Sequence, residues 1–145
     1  IDKACTRDGL AVDAPGVDAG VATPLTILVV EDDSVNAGLA ATLLGRLGYT
    51  VTVARDGRDA LERLGVQRVD LVLVDLRMPG MDGVEFTRRA RAREQAGRRL
   101  PIVALSANSA VEVRERGLAA GMDGFLTKPL DPDSLESLID RLVRA

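Results

Sequence analysis

The sequence predicts an α/β domain with one five-stranded parallel sheet in the order 2-1-3-4-5, doubly wound and covered on both faces by five helices. Three observations carry that expectation. Short β-favouring runs recur, and those at 25–30, 71–74 and 101–105 are almost continuously apolar, as strands buried on both faces must be. Segments with helical spacing alternate with them through short loops, which calls for right-handed crossovers. The chain has 145 residues, enough for one domain with a full hydrophobic core and too few for a second.

Residues 1–24 mix Ala, Gly, Val and Asp without a period and are broken by Pro15 and Pro24. They are read as a poorly ordered linker, with the domain at 25–145. The first strand, 25–30, runs directly into Glu31, Asp32, Asp33 and Ser34. Asp33 or Ser34 can cap a helix over 35–47, in which Leu39, Leu43, Leu44 and Leu47 form an apolar stripe and which Gly48 stops. Residues 50–54 alternate and are rich in β-branched side chains, so they make the second strand. Asp56 and Gly57 then lead into a short helix with Ala60, Leu61 and Leu64 on one side. The third strand, 71–75, ends on Asp75 before a turn through Pro79 and Gly80. A third helix is expected from near Gly83 to about Ala96, a fourth strand at 101–106, and a fourth helix at 110–120 closed by Gly121. The short fifth strand, 124–127, precedes Lys128 and Pro129. Asp133 or Ser134 would cap a last helix carrying Leu135, Leu138, Ile139 and Leu142.

Composition excludes several functions. The 19 basic and 22 acidic side chains give a net charge of −3, so nothing global calls for nucleic acid or an anionic membrane. A single cysteine, Cys5, leaves no disulfide framework and no thiol metal site. No apolar run approaches a membrane span and no secretion signal opens the chain, so a cytoplasmic location is expected. Histidine is absent, which removes the commonest general base and zinc ligand. Any phosphohistidine chemistry must come from another chain or domain. A start at Ile1 points to a piece of a longer polypeptide.

The strand order 2-1-3-4-5, flavodoxin-like, sets the loops after strands one and three side by side, so Glu31, Asp32 and Asp75 are expected to converge at the carboxyl ends of the sheet. A turn that binds phosphate directly is usually rich in glycine, with backbone N–H groups facing the anion. Here the turn is acidic and repels phosphate unless a divalent cation lies between. Carboxylates with loop carbonyls make a hard oxygen site suited to Mg²⁺, and without the ion the like charges raise one another's pKa. Ser106 ends strand four with a hydroxyl and Lys128 follows strand five with an ammonium. Each has a plain reading: Asp75 as the opening of a turn, Ser106 as a helix cap, Lys128 as a solvated lysine. Together they suit transfer of a phosphoryl group to Asp75, a reaction that depends on positioning and charge neutralisation.

Four ordered motifs, VVEDD at 29–33, VDLRMPGMDG at 74–83, LSAN at 105–108 and GMDGFLTKP at 121–129, resemble the receiver domain of two-component signalling over about residues 25–143. That resemblance implies Asp75 as phosphoacceptor and a Mg²⁺ site made by Glu31, Asp32, Asp75 and the backbone carbonyl of Arg77. It further implies Ser106 as switch hydroxyl, Lys128 as the phosphate-binding lysine, Phe125 at the aromatic switch position and a cis Lys128–Pro129 bond. The helix-four and strand-five surface would be what switches. Asp33 has no counterpart among such metal ligands and is read as a cap. Implied partners are a histidine kinase dimerisation domain or a histidine phosphotransfer protein, with the chain a monomer or weak dimer. The motifs at 31–36, 106–108 and 121–124 are similar to receivers attached to hybrid sensor histidine kinases, whose parent chains can be membrane-anchored; a free-standing regulator is the alternative. A phosphatase of the haloacid dehalogenase type also uses a strand-end aspartate. It needs a second aspartate two places on, where Arg77 stands. Arg88, Arg89, Arg91, Arg93, Arg98 and Arg99 raise a nucleic-acid reading, but without aromatic partners they are expected to form a solvated face. Arg77 and Asn108 flank the expected path of water to an acyl phosphate, Arg77 as a brake and Asn108 as an orienting group.

Overall fold

The structure, a computed structural model, describes residues 24–78, 80–94, 99–106, 111–128 and 130–144, with the backbone alone at 111–113 and 144. The expected linker at 1–23, the Lys128–Pro129 bond, Asn108, Arg98, and the expected helix ends at 96 and 110 lie outside those residues.

Five parallel strands form one sheet: β1 (Thr26–Val30), β2 (Thr50–Ala54), β3 (Leu71–Asp75), β4 (Ile102–Ser106) and β5 (Gly124–Thr127), in the spatial order β2-β1-β3-β4-β5. This is the expected flavodoxin-like arrangement. The helices are α1 (Ser34–Arg46), α2 (Gly57–Val66), α3 (Gly83–Arg93), α4 (Val111–Ala120) and α5 (Pro132–Ile139), the last running on through a wider π-type turn at Asp140–Arg144.

β3 is central, and all five of its residues are buried. Its alternate side chains feed two cores. Val72 and Val74 join Leu28, Val30, Ile102 and Ala104 under α2, α3 and α4, while Leu71 and Leu73 join Ile27, Val29, Val103 and Leu105 under α1 and α5. Each fully buried side chain of this size contributes about 1.5–3 kcal/mol, so replacing Leu73 by Asp would break the fold at its centre. In the edge strand β2, Val51 and Val53 pack against the core under α1 and α5, while Thr50 is exposed. Asp75 lies opposite Leu105, and Ser106 opposite Thr127, so the carboxyl ends of β3, β4 and β5 finish level.

Aspartates cap four of the helices. Asp33 accepts from the Val35 and Asn36 N–H groups at 2.8 and 3.2 Å, Asp56 from Asp59 at 2.7 Å and Asp82 from Glu85 at 2.9 Å. Asp131 caps α5 by accepting from Ser134 N–H at 3.0 Å. Asp133 and Ser134 therefore stand inside the first turn, because Pro132 takes the first helical position, where no N–H is needed.

Three further expectations are corrected. The buried stripe of α1 is Ala37, Ala40 and Leu44, with Leu43 and Leu47 packed beside it. Leu39 is 65% exposed, since small alanines bring the helix against the sheet and leave position 39 off the stripe. α3 ends at Arg93, where Glu94 turns extended and its carboxylate accepts from Leu100 N–H at 2.7 Å. The arginines near that end are not uniformly solvated. Arg91 donates to the Gly121 and Leu100 carbonyls and to the Glu94 and Asp123 carboxylates, tying α3 to the start of β4 and the α4–β5 turn. Arg99 adds a second cation on Asp123 at 2.8 Å.

Candidate functional site

The carboxyl ends of β1 and β3 bring together the acids that the sequence separates by more than forty positions. Glu31, Asp32 and Asp75 each place a carboxylate oxygen within 4.8 Å of the others. Glu31 and Asp75 are buried, and Asp32 faces solvent. Asp75 can sit this close to the following turn because residue 83 is glycine: a Cβ there would stand 2.7 Å from the Asp75 carbonyl oxygen and 3.0 Å from Leu76 Cα. The Gly83 N–H closes the turn on the Leu76 carbonyl at 3.2 Å. Gly83 was legible in the sequence only as a helix start; a glycine eight residues after a strand-end acid is the signal that could have marked a close backbone approach.

Both oxygens of Asp75 are held. Oδ1 accepts from the Arg77 N–H at 3.1 Å in a tight Asx-type turn, and Oδ2 accepts from Lys128 Nζ at 2.9 Å. The same ammonium donates to Glu31 Oε1 at 2.8 Å, and Glu31 Oε2 accepts from the Asp33 N–H at 3.3 Å. Lys128 is placed for this by β5, whose pairing continues through its N–H to the Ser106 carbonyl at 2.9 Å. The plain reading of Lys128 as a solvated lysine is thereby replaced, because it bridges residues 97 and 53 positions away.

The electrostatics follow from the burial. Burial pushes the Glu31 carboxyl up to about 7, helped by neighbouring Asp75 and opposed by its bond to Lys128. Burial works against the Lys128 charge, but its bonds to Glu31 and Asp75 outweigh it and raise the ammonium pKa above the ordinary value. With all three carboxylates ionised, as a bound cation requires, three negative charges against one ammonium leave −2. A charge of −2 on hard oxygens is what one divalent cation neutralises, so the donor set fits Mg²⁺.

The other expected residues take different places. Ser106 is half-buried at the end of β4, one position beyond the partner of Asp75. Arg77 is exposed. Phe125 is not in the acid cluster: it pairs with Ala104 on β4 and packs half-buried against the core beneath α2, α3 and α4. Two apolar residues at the start of α1 are left in solvent. Val35, in the first turn of α1 just after the Glu31 and Asp32 loop, is 68% exposed, and Leu39 one turn on is 65% exposed.

This geometry has relatives. The profile of the response regulator receiver domain matches residues 27–140. The chain is 44% identical over 115 residues to the sensor histidine kinase RcsC of Salmonella typhi and 41% identical over 118 residues to the sensor protein EvgS of Escherichia coli K12, alignments covering 79% and 81% of this chain. They span only 12% and 10% of those much longer proteins. Among solved structures, a receiver domain of a Pseudomonas aeruginosa sensor histidine kinase, with a magnesium ion coordinated in its active site cleft, superposes with a TM-score of 0.76 at 40% identity over 85% of this chain and 100% of that one. The Vibrio cholerae chemotaxis protein CheY4 does so with a TM-score of 0.77 at 32% identity, over 83% and 99%.

Proposed function

The chain belongs to the response regulator receiver domain family, and we propose that it works as the phosphoacceptor module of a two-component phosphorelay, with Asp75 as the acceptor. The observation that carries this reading is the buried Asp75 carboxylate at the end of the central strand, held between Lys128 and the Arg77 N–H beside two further acids.

In the reaction, an Asp75 carboxylate oxygen attacks the phosphorus of a phosphohistidine carried by another chain or domain. The P–N bond breaks, the imidazole leaves with the electron pair and takes a proton from solvent, and an acyl phosphate remains. Glu31, Asp32, Asp75 and the Arg77 carbonyl would hold Mg²⁺, which when bound neutralises charge on the transferring oxygens. Lys128 supplies the fixed positive charge that pairs with a phosphoryl oxygen once Asp75 is phosphorylated. Ser106, one place beyond the level of Asp75, is the hydroxyl that would move toward the new dianion, and Phe125 would shift in response, changing the α4 and β5 surface. Arg77 would cover the phosphoryl group and slow its hydrolysis.

The exposed apolar side chains of Val35 and Leu39, one turn apart on the helix that follows Glu31 and Asp32, suit docking of an amphipathic helix that presents a histidine to the acids, as on a kinase dimerisation domain or a histidine phosphotransfer protein. The likeness to RcsC and EvgS supports an origin in a hybrid sensor kinase; the same reading takes residues 1–24 as linker, 25–145 as receiver and the location as cytoplasmic. No helix among the described residues is long and apolar enough to cross a membrane. Incubation with Mg²⁺ and acetyl phosphate, followed by intact mass, tests the reading. One phosphoryl group should be gained and EDTA should prevent it; no uptake at saturating donor would refute it.

A further inference from the structure

The ring of Phe125 rests on bare helix backbone. A Cβ built on Gly117 would stand 2.7 Å from both Cε1 and Cζ of Phe125 and 2.8 Å from Met122 Sδ, distances no real Cβ tolerates. Three residues earlier on the same face of α4, the Arg114 guanidinium lies 5.9 Å from the ring centroid. The ring therefore lies against the α4 backbone with a cation of the same helix over it, and only a residue without a side chain at position 117 permits that approach. Glycine in a helix interior costs about 1 kcal/mol relative to alanine, so its presence at a buried position of α4 needs a reason.

We propose that Gly117 is a positioning residue, a seat that holds Phe125 against α4 in the unphosphorylated protein and sets how readily the ring departs when Asp75 is modified. The proposal rests on the receiver reading above, in which movement of Phe125 accompanies phosphorylation. Departure of the ring gives up the Arg114 contact and the packing on Gly117. A methyl group at 117 removes the seat by pressing on the far end of the Phe125 ring and on Met122 Sδ, side-chain atoms that shift by rotation, and none of these contacts belongs to the acid cluster. Gly117→Ala should then populate the unseated ring before any phosphoryl group arrives, and the competent fraction of the protein rises with it.

The test compares wild type, Gly117→Ala, Phe125→Ala and the double variant. NMR reads the ring-current shifts at residues 114–118, thermal melts read stability, and the rate of phosphorylation by acetyl phosphate reads the switch. In Gly117→Ala the ring-current shifts should be lost and phosphorylation should quicken by about three- to tenfold. On the Phe125→Ala background the ring is absent and only the Met122 contact remains, so the same change should leave the rate unchanged. A Gly117→Ala protein with the ring-current shifts intact, or with a rate equal to wild type, overturns the proposal. Failure of the wild type to take up phosphate overturns the receiver reading instead, whatever the NMR says of the ring.

Discussion

Magnesium affinity should track the ionisation of Glu31. Burial, reinforced by Asp75, lifts this carboxyl from an ordinary 4.5 to about 7, so near neutrality much of the ion-free protein carries a proton on a group that must be anionic to hold a hard cation. Proton and Mg²⁺ compete for the same oxygens. With a midpoint at about 7, the ionised fraction is about 0.1 at pH 6 and about 0.9 at pH 8, so the apparent association constant should rise about tenfold between them and level off above. The raised pKa also sets the sign for stability. The native state keeps a proton that the unfolded chain has lost, so the stabilisation is fully present below about pH 4.5 and is lost as pH rises through about 7. Titration calorimetry at pH 6, 7 and 8, in buffers of different ionisation enthalpy, measures affinity and proton release together. Glu31→Gln should bind more weakly and show no pH dependence over this range. A wild-type affinity constant from pH 6 to 8, with no proton released, would refute the assignment of Glu31 as both the raised acid and a metal ligand.

Other substitutions separate scaffold from site. Arg91→Ala leaves the Glu94 and Asp123 carboxylates and two carbonyls without their shared donor; urea unfolding should show a loss of about 2–4 kcal/mol. Arg91→Lys should recover little of it, because one ammonium cannot reach as many acceptors as the planar fork, and full recovery would contradict the network. Gly83→Ala pushes a Cβ into the Asp75 and Leu76 backbone, so it should cost about 1–3 kcal/mol and slow phosphorylation; unchanged melting and rate would count against close approach at that turn. Arg77→Ala should shorten the aspartyl phosphate lifetime by about two- to tenfold, the worth of one exposed charge-assisted contact. Equal or slower decay, followed by intact mass, would remove the shielding role.

The sheet was legible because parallel strands buried on both faces are written as unbroken apolar runs, and residues 71–75 could hardly be anything else. Convergence of Glu31, Asp32 and Asp75 followed from strand order alone, since level strand ends place successive loops together. Helix ends were less legible. A proline at position 132 shifted the cap of α5 back to Asp131, because proline suits the first turn and an aspartate before it can cap. Helical spacing marked Leu39 as core, but the sheet accepted the narrower alanine side of α1. Arg91 looked like its solvated neighbours because its acceptors come from residues 94, 100, 121 and 123, which only the folded α3, β4 and β5 bring together. The double bond of Lys128 to Glu31 and Asp75 was likewise invisible in spacing, as was the ring over Gly117, because both depend on tertiary approach rather than on local pattern.

The central claim is that Asp75 itself receives the phosphoryl group, and borohydride trapping tests it most directly. After incubation with Mg²⁺ and acetyl phosphate, hydride reduction of an acyl phosphate converts the acceptor aspartate to homoserine, and peptide mass mapping reads the position. Residue 75 should be the one converted, with no conversion in Asp75→Asn. Homoserine at Asp32 or another aspartate, or a phosphoryl group that resists reduction and maps to Ser106, would contradict the account.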